Sequence, residues 1–528
     1  MAVFGIDLGT TYSCVAHLDD VGRPAVVRNA EGADTTPSVV YLESVDNIVV
    51  GSVAKNTAVI HPDLVVSLIK REMGQDYVTP EIHGRTYVPE EVSALILRKL
   101  TADAELFTGD SANDVVITVP AYFGIAEREA TRRAGEIAGL NVIDIVSEPI
   151  AAAIDYGVLR PDEDRSILVY DLGGGTFDTT VITIRGGDIE VVCTDGDHNL
   201  GGADWDLRLV EHLAKDFTAQ HPDATDPLED RETEQELRTL AEDMKKDLSS
   251  ATQRTVRVVH DGRRATVEVS RDVFEEITHD LVDRTVDITR RIVEEAGRRG
   301  VTTFDDVLLV GGATRMPVVR ARLVAEFGFD PKLHDPDLSV AKGAARYAFE
   351  ETYRRLLSSG ETGKANEMAD RAGLSDKAQE AMSNRQIRTV ASRSFGIKAV
   401  RRDNRTDFVA HLIHANDQLP ADVTEEFGTI DDDQRAILVE VMEQAGPRES
   451  DLVENNNRIA EGEIEIPPRK PAGWPIDVTF RLSTSGLLRV AAVEKETGVR
   501  LELSVQVGGM TDEQVESARK SIALTRVS

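Results

Sequence analysis

The chain has 528 residues, 41% apolar and 5% aromatic, which is more than one hydrophobic core usually serves, so two or more globular domains are expected. Its 93 acidic residues outnumber its 60 basic ones, and a formal net charge of -33 argues against nucleic acid and against an anionic membrane surface as partners. Cys14 and Cys193 are the two cysteines, the opening MAVFGIDLGT lacks a basic and apolar leader, and no run approaches the roughly 18 apolar residues of a membrane span; a reducing, cytoplasmic setting is the expectation.

Strand-like and helix-like segments alternate to about residue 350: VFGIDLG, SALILRKLTADAEL, DVVITVP, EREATRRAGEIAG and ILVYDLG. The alternation predicts an α/β domain over residues 1–350. Inside it, residues 3–18 (VFGIDLGTTYSCVAHL) and 167–184 (ILVYDLGGGTFDTTVITI) repeat one order: apolar strand, Asp-Leu-Gly, Gly/Thr turn, second strand. Two similarly built lobes follow from the repeat, each opening on a Gly-rich hairpin. At 307–320, VLLV runs through Gly311, Gly312 and Arg315 into a helix, a geometry that suits nucleotide approach and, taken alone, equally suits an ordinary strand-to-helix turn.

Residues 351–389 are charged and rich in Ala, Ser, Glu and Lys, with Gly360 and Gly363 interrupting a helical period; they predict a polar helical connector outside any core. From 390 to 510 the period becomes two, in AILVEV, IDVTFRL, LLRVAAVE and LELSVQV, which predicts a small antiparallel β-domain, a sheet or sandwich. Thr511 and Gln514 have capping-box spacing ahead of one short amphipathic helix over 511–528.

A Gly-rich turn lets backbone N–H groups approach phosphate oxygens, and Thr hydroxyls add donors; the turns at 9–11 (GTT) and 173–176 (GGGT) both qualify. Asp7 and Asp171 stand where a hydrated Mg²⁺ would lie between carboxylates and phosphates. Either turn alone reads better as a tight hairpin with a solvated Asp, and it is the duplication that favours phosphate. Lys70 by itself reads as a helix-surface lysine, and Glu148 as a favourable charge near a helix start.

GIDLGTTYS (5–13), ITVPAYF (117–123), SEPIAAAIDYG (147–157), YDLGGGTFD (170–178), NLGGADWD (199–206) and VGGATRMP (310–317) resemble, in order and spacing, the seventy-kilodalton heat-shock (DnaK-type) chaperones. The resemblance implies an α/β actin-like two-lobed ATPase domain with ATP and Mg²⁺ between the lobes, followed by a small all-β sandwich domain that binds peptide. It implies phosphate contacts from Gly9, Thr10, Thr11 and Tyr12 and from Gly173, Gly174, Gly175, Gly201 and Gly202. Asp7, Asp171 and Asp178 would organise the metal and its waters. Lys70 would orient the attacking water, with Glu148, Asp171 and Thr176 beside the γ-phosphate. Adenosine would lie between Glu242, Lys245, Lys246 and Ser249 on one side and Gly312 and Arg315 on the other. Slow turnover is expected, because no strong general base is evident.

SFGIKAV (394–400), LIHANDQLP (412–420), FGTIDDDQRAILVEV (427–441) and 474–498 resemble the same family's peptide-binding sandwich. The matching groove positions are Phe395, Ile397, Val400, Phe427, Ile430 and Ile437, for each of which plain β-core is the other reading. The implied partners are unfolded or extended polypeptides, a nucleotide-exchange factor and a J-domain co-chaperone.

The chain also departs from that pattern. Gly124 and Ile125 replace an Asn-Asp beside the interlobe relay formed by Pro120 and Arg128, and Ala203 replaces a Glu. IRTVASRSF stands where a short aliphatic linker is expected, Asp144 where an Arg meets the J-domain's Asp, and no long helical lid follows Met510. Two rivals share the ATPase fold: an actin-like filament protein, and a regulatory ATPase whose β-domain binds one dedicated folded partner.

Overall fold

Apolar runs without polar alternation, such as DVVITV at Asp114–Val119 and DVLLV at Asp306–Val310, suit strands covered on both faces. Each lies inside a sheet in the computed structural model, which describes residues 2–158, 164–403, 405–446, 448–484, 486–504 and 510–528. In the first half of the α/β region, Phe4–Asp7 pairs antiparallel with Tyr12–Leu18 and parallel with Asp114–Val119, which pairs in turn with Asn141–Ser147. In the second half, Arg165–Leu172 pairs antiparallel with Phe177–Arg185 and parallel with Asp306–Val310, which pairs in turn with Pro331–Leu333. The repeat read from the sequence is thus a repeat of sheet topology. It sets Asp7 and Asp171 at equivalent places, at or next to the C-terminal end of a central strand, where open α/β sheets bind ligands.

Helix Ser339–Ser358 packs against both Phe4–Asp7 and helix Glu148–Val158. Small residues make this closeness possible: a Cβ on Gly343 would stand 1.7 Å from the Ala151 carbonyl oxygen, and one on Gly5 2.0 Å from the Ala345 nitrogen. Substitution at either position forces backbone apart.

The connector differs from its expectation. Helices Thr362–Arg371 and Asp376–Asn384 form there, but Ala365, Met368, Ala369, Ala372 and Met382 are buried in the core beside the second sheet, with Ile182, Ile189 and Tyr353. The segment is part of the core of the α/β region. Its apolar face is mostly Ala and Met, which carry little hydrophobic signal in sequence while filling a close-packed interior well. Beyond it, Ile387–Arg388 forms a short strand that adds parallel to Ile189–Glu190 at the edge of the second sheet. This strand occupies the place of the linker that IRTVASRSF does not reveal.

The β-domain consists of two four-stranded antiparallel sheets. One runs Asp407–Ile413, Phe395–Val400, Ala436–Gln444, Asn456–Glu465; the other runs Ala421–Gly428, Pro475–Leu482, Leu488–Glu494, Arg500–Ser504. The end of LELSVQV at 505–507 lies outside the described residues. Phe395, Val441, Ile464, Phe480 and Val490 fill the core between the sheets, and Ile125 and Ala126 of the α/β region complete it at one end.

That docking explains the Gly124-Ile125 departure. The buried Glu443 carboxylate accepts a hydrogen bond from the Ile125 backbone N–H (3.4 Å) at the start of helix Ile125–Ile137, and Arg393 reaches both Glu443 and Glu127. A Cβ on Gly124 would come within 2.6 Å of the Glu443 side chain. The helix therefore takes its N-terminal acceptor from the β-domain. Burial, only partly offset by Arg393, pushes the Glu443 carboxyl up from 4.5 to about 7. Between those values the folded protein holds a proton that the unfolded chain releases, so stability falls as pH rises from 4.5 through about 7. Glu443→Gln keeps an acceptor and removes the charge. Calorimetry at pH 5 and pH 8 is expected to show a loss in the wild type that exceeds the Gln variant's by up to about 3 kcal/mol; parallel pH profiles would contradict this.

Candidate functional site

The two Gly/Thr turns face each other. A Cβ built on Gly174 would stand 1.9 Å from Thr11 Oγ1, and one on Gly175 2.3 Å from the Thr10 methyl, so the turns meet without side chains between them. The 173–176 turn is braced on two sides: the Gly173 N–H donates to the Thr176 carbonyl (3.0 Å), and the Gly202 and Ala203 N–H groups donate to the Gly173 and Gly174 carbonyls (2.9 and 2.7 Å). Between the halves opens a cleft of about 710 Å³. Its walls include Asp7, Gly9, Thr10, Thr11, Tyr12, Lys70, Glu148, Asp171, Gly173, Gly174, Thr176, Gly202, Glu242, Lys245, Lys246, Ser249, Gly312 and Arg315. Gly175, Gly201 and Asp178 sit just behind them, with Gly201 packed on the Gly175 backbone and the Asp178 side chain buried.

Lys70 is not a helix-surface lysine. It lies in a 3₁₀ turn, Ile69–Glu72, entered through Leu68 at φ 58°, a left-handed backbone that Leu rarely adopts. The side chain is 6% exposed, and Nζ stands 2.6 Å from Glu148 Oε1. Asp7 accepts from the Thr118 hydroxyl (3.0 Å), and Asp178 from the Ala121 N–H (2.9 Å). Burial, and after it repulsion from Glu148, holds the Asp7 carboxyl up at about 7. The same causes push Asp171 and Asp178 well above the usual carboxylate range. Asp178 Oδ1 is buried without a hydrogen-bond partner. Four carboxylates thus converge around one lysine, an arrangement short of positive charge.

At the outer end of the cleft Glu242 gathers donors from both halves. It accepts from Tyr12 Oη (2.9 Å), from Lys246 Nζ (2.6 Å) and from Lys55 of helix Ser52–Thr57. Burial raises its carboxyl, but Lys55 and Lys246 outweigh burial and hold it at about 2. Lys245 bonds the Gly202 carbonyl (2.8 Å) and Asp206 (2.7 Å), and Arg315 pairs with Asp337.

Four contributors escaped the sequence reading. Lys55 supplies the first half's side of the Glu242 clasp, while Asp206 and Asp337 hold Lys245 and Arg315. Arg71 donates to the Gly175 carbonyl (3.0 Å) and to Asp204 (2.6 Å), which in turn accepts from the Gly201 N–H. All four act through partners more than 20 positions away in the chain, so their roles cannot be read locally, even for Asp206 at the end of NLGGADWD.

In the β-domain, Phe395 and Ile397 are buried in the core, and Val400, Phe427 and Ile437 are half-buried. Ile430 is 37% exposed, and Leu438, next to Ile437 in the chain, is 51% exposed. The accessible apolar surface among the matched positions is therefore at 400, 427, 430 and 437. Among the described residues, no helix is long and apolar enough to cross a membrane.

A model of the Hsp70 protein family matches residues 3–349 and 377–524. The matched stretches contain both Gly/Thr turns, Lys70, Glu148, the Glu242 clasp and the β-domain, and leave out the first connector helix. This chain belongs to the Hsp70 protein family.

Proposed function

We propose that the chain is an ATP-dependent molecular chaperone: an actin-like, two-lobed Mg²⁺-dependent ATPase whose β-sandwich binds exposed apolar segments of unfolded polypeptides. The observation that carries the reading is the buried Lys70–Glu148 pair, set among Asp7, Asp171 and Asp178 where the two Gly/Thr turns meet. An ion pair serving structure alone has no need of three further buried carboxylates.

A hydrated Mg²⁺ fits this donor set. Asp178 Oδ1 lacks a partner, and among the described residues no three acidic, His or Cys side chains stand close enough to ligate an ion directly; Asp7, Asp171 and Asp178 would hold it through water. Bound there, the ion would neutralise phosphate charge. The protein's own part is positional. Backbone N–H groups of the two turns hold the phosphates, and Lys70, fixed by Glu148, orients the attacking water with the Thr176 hydroxyl beside it. Glu242, Lys245, Lys246, Ser249, Gly312 and Arg315 bracket the adenosine.

The test is Mg²⁺-ATP turnover with and without an extended apolar peptide. Slow hydrolysis that responds to peptide is expected. Hydrolysis indifferent to unfolded peptide, with capture of one folded protein instead, would favour the dedicated-partner reading.

The helix after the β-domain, Asp512–Ala523, packs on the first half of the ATPase region, so Ile430 and Leu438 stay open to solvent. Residues 390–510 are therefore expected to bind apolar peptides weakly and with fast exchange. Fluorescence anisotropy in the full chain measures this, and release over many minutes would refute it. A nucleotide-exchange factor and a cytoplasmic setting belong to the same proposal.

A further inference from the structure

A second cavity, of about 660 Å³, opens where helix Ile125–Ile137, strand Asn141–Ser147 and helix Ser339–Ser358 meet the β-domain at Leu482 and Thr484. It shares no lining residue with the cleft between the Gly/Thr turns. Arg128, Arg132, Arg354 and Arg355 line it, against two carboxylates, Asp144 and Glu351. In a chain whose formal net charge is -33, this is a local excess of positive charge at a concave surface.

Both carboxylates are already engaged. Glu351 pairs with Arg354 (3.1 Å) and with Arg355 (2.7 Å), which also reach the Arg385 and Ile143 carbonyls (3.3 and 3.0 Å). Asp144 holds the Tyr347 hydroxyl at 2.7 Å. The wall formed by helix Ile125–Ile137 differs. Arg128 and Arg132 stand four positions apart and so project from one face of that helix. Arg128 donates through Nε to the Phe123 carbonyl (3.1 Å), and Arg132 makes a loose 3.9 Å contact with Glu129. Among the described residues, the Nη groups of Arg128 and the hydroxyl of Ser147, at the end of the adjoining strand, have no hydrogen-bond partner. Burial lowers the Arg128 guanidinium below its ordinary range, and the charge of Asp144 offsets this only in part. A half-buried guanidinium with open donors calls for an acceptor.

We propose that this cavity is a binding site for a small organic phosphate, with the phosphate group on Arg128, Arg132 and Ser147 and the organic part against Ile143, Ile150, Leu419 and Leu482. Two guanidinium forks and a hydroxyl suit the oxygens of a phosphate monoester dianion, which accepts several hydrogen bonds at once. The volume is in the range of small-molecule sites, and the four aliphatic side chains supply the apolar lining such sites have. Asp144, in the same cavity, opposes the anion. The inference does not rest on the activity proposed above, because binding is read directly and away from the cleft.

The probe is phenyl phosphate, titrated calorimetrically into the full chain at pH 8, where the monoester is a dianion. A saturable site that Lys70→Met, in the cleft, leaves intact is expected. Arg132→Gln should weaken it by about fivefold to tenfold, and Arg128→Gln by at least as much. The Arg132 side chain is 29% exposed, so its replacement keeps the proposal testable if Arg128→Gln fails to fold. Asp144→Asn, which keeps an acceptor for Tyr347, should tighten binding about fivefold, a gain that a damaged fold does not produce. Benzyl alcohol, which has the ring without the phosphate, should not bind. The proposal is overturned by binding that Lys70→Met abolishes and Arg132→Gln spares, by binding that the arginine and Asp144 substitutions leave unchanged, or by the lack of a saturable site at millimolar phenyl phosphate.

Discussion

Lys70→Ala is expected to abolish ATP hydrolysis, lowering the single-turnover rate by about 10²- to 10³-fold, while nucleotide still binds. Lys70 Nζ is the cation paired to Glu148 among the described residues, and Glu148 raises the carboxyls of Asp7, Asp171 and Asp178 around it. Without the ammonium, the attacking water loses the donor that sets its line of approach, and four acidic groups face the phosphate with one counter-charge fewer. Binding survives because the remaining contacts lie elsewhere, in the two turns and around Glu242. Lys70→Met, which keeps the stem and removes the charge, should behave alike and separates charge from packing. Hydrolysis is followed under single-turnover conditions, nucleotide affinity by titration, and folding by thermal melting. Wild-type turnover in either variant would remove Lys70 from the chemistry, and lost affinity with normal melting would make it a binding residue.

What the sequence disclosed and what it hid follow from the range of the interactions. Asp7 and Asp171 were visible because each begins a local device, a hairpin whose Gly/Thr turn is written in consecutive residues, and the device occurs twice. The β-domain was visible for the same reason: strand Pro475–Leu482 alternates apolar and polar residues along its length, and Leu488–Glu494 begins in the same way. Lys70 was ambiguous alone because its partner is 78 positions away. Lys55 carries no signal at all, since its role is set by Glu242 across the cleft. Helix Thr362–Arg371 looked solvated because charged residues surround a face of Ala365, Met368 and Ala369, and composition does not show which face a helix buries. Strands of two residues, Ile387–Arg388 and Arg526–Val527, are too short for any period. They exist because a sheet edge with unpaired backbone groups stands ready to receive them.

The same logic changes what is expected of a J-domain co-chaperone. Asp144 lines a cavity of about 660 Å³ bounded by helix Ile125–Ile137, strand Asn141–Ser147, helix Ser339–Ser358, the connector at Ile387 and the β-domain at Leu482 and Thr484. Arg128, Arg132, Arg354 and Arg355 share its wall. Asp144 Oδ2 accepts from the Tyr347 hydroxyl (2.7 Å), and its charge acts on the half-buried Arg128. A J-domain that presents an acidic residue here meets a carboxylate, and a like-charge contact of this kind costs roughly 1 kcal/mol, about fivefold in affinity. A generic J-domain is therefore expected to stimulate hydrolysis poorly. The linker is not the obstacle, since Ile387–Arg388 is already paired to the second sheet. Asp144→Asn keeps an acceptor for Tyr347 and removes the repulsion, leaving the arginines to receive the acid. At sub-saturating J-domain it should raise stimulation about fivefold with the basal rate unchanged. Asp144→Arg should gain less, because it forfeits the Tyr347 bond and crowds a fifth guanidinium among four. Single-turnover hydrolysis across a J-domain titration decides: strong stimulation of the unaltered chain defeats the argument, and stimulation by one partner with a basic residue at the facing position would show that the pair had co-adapted.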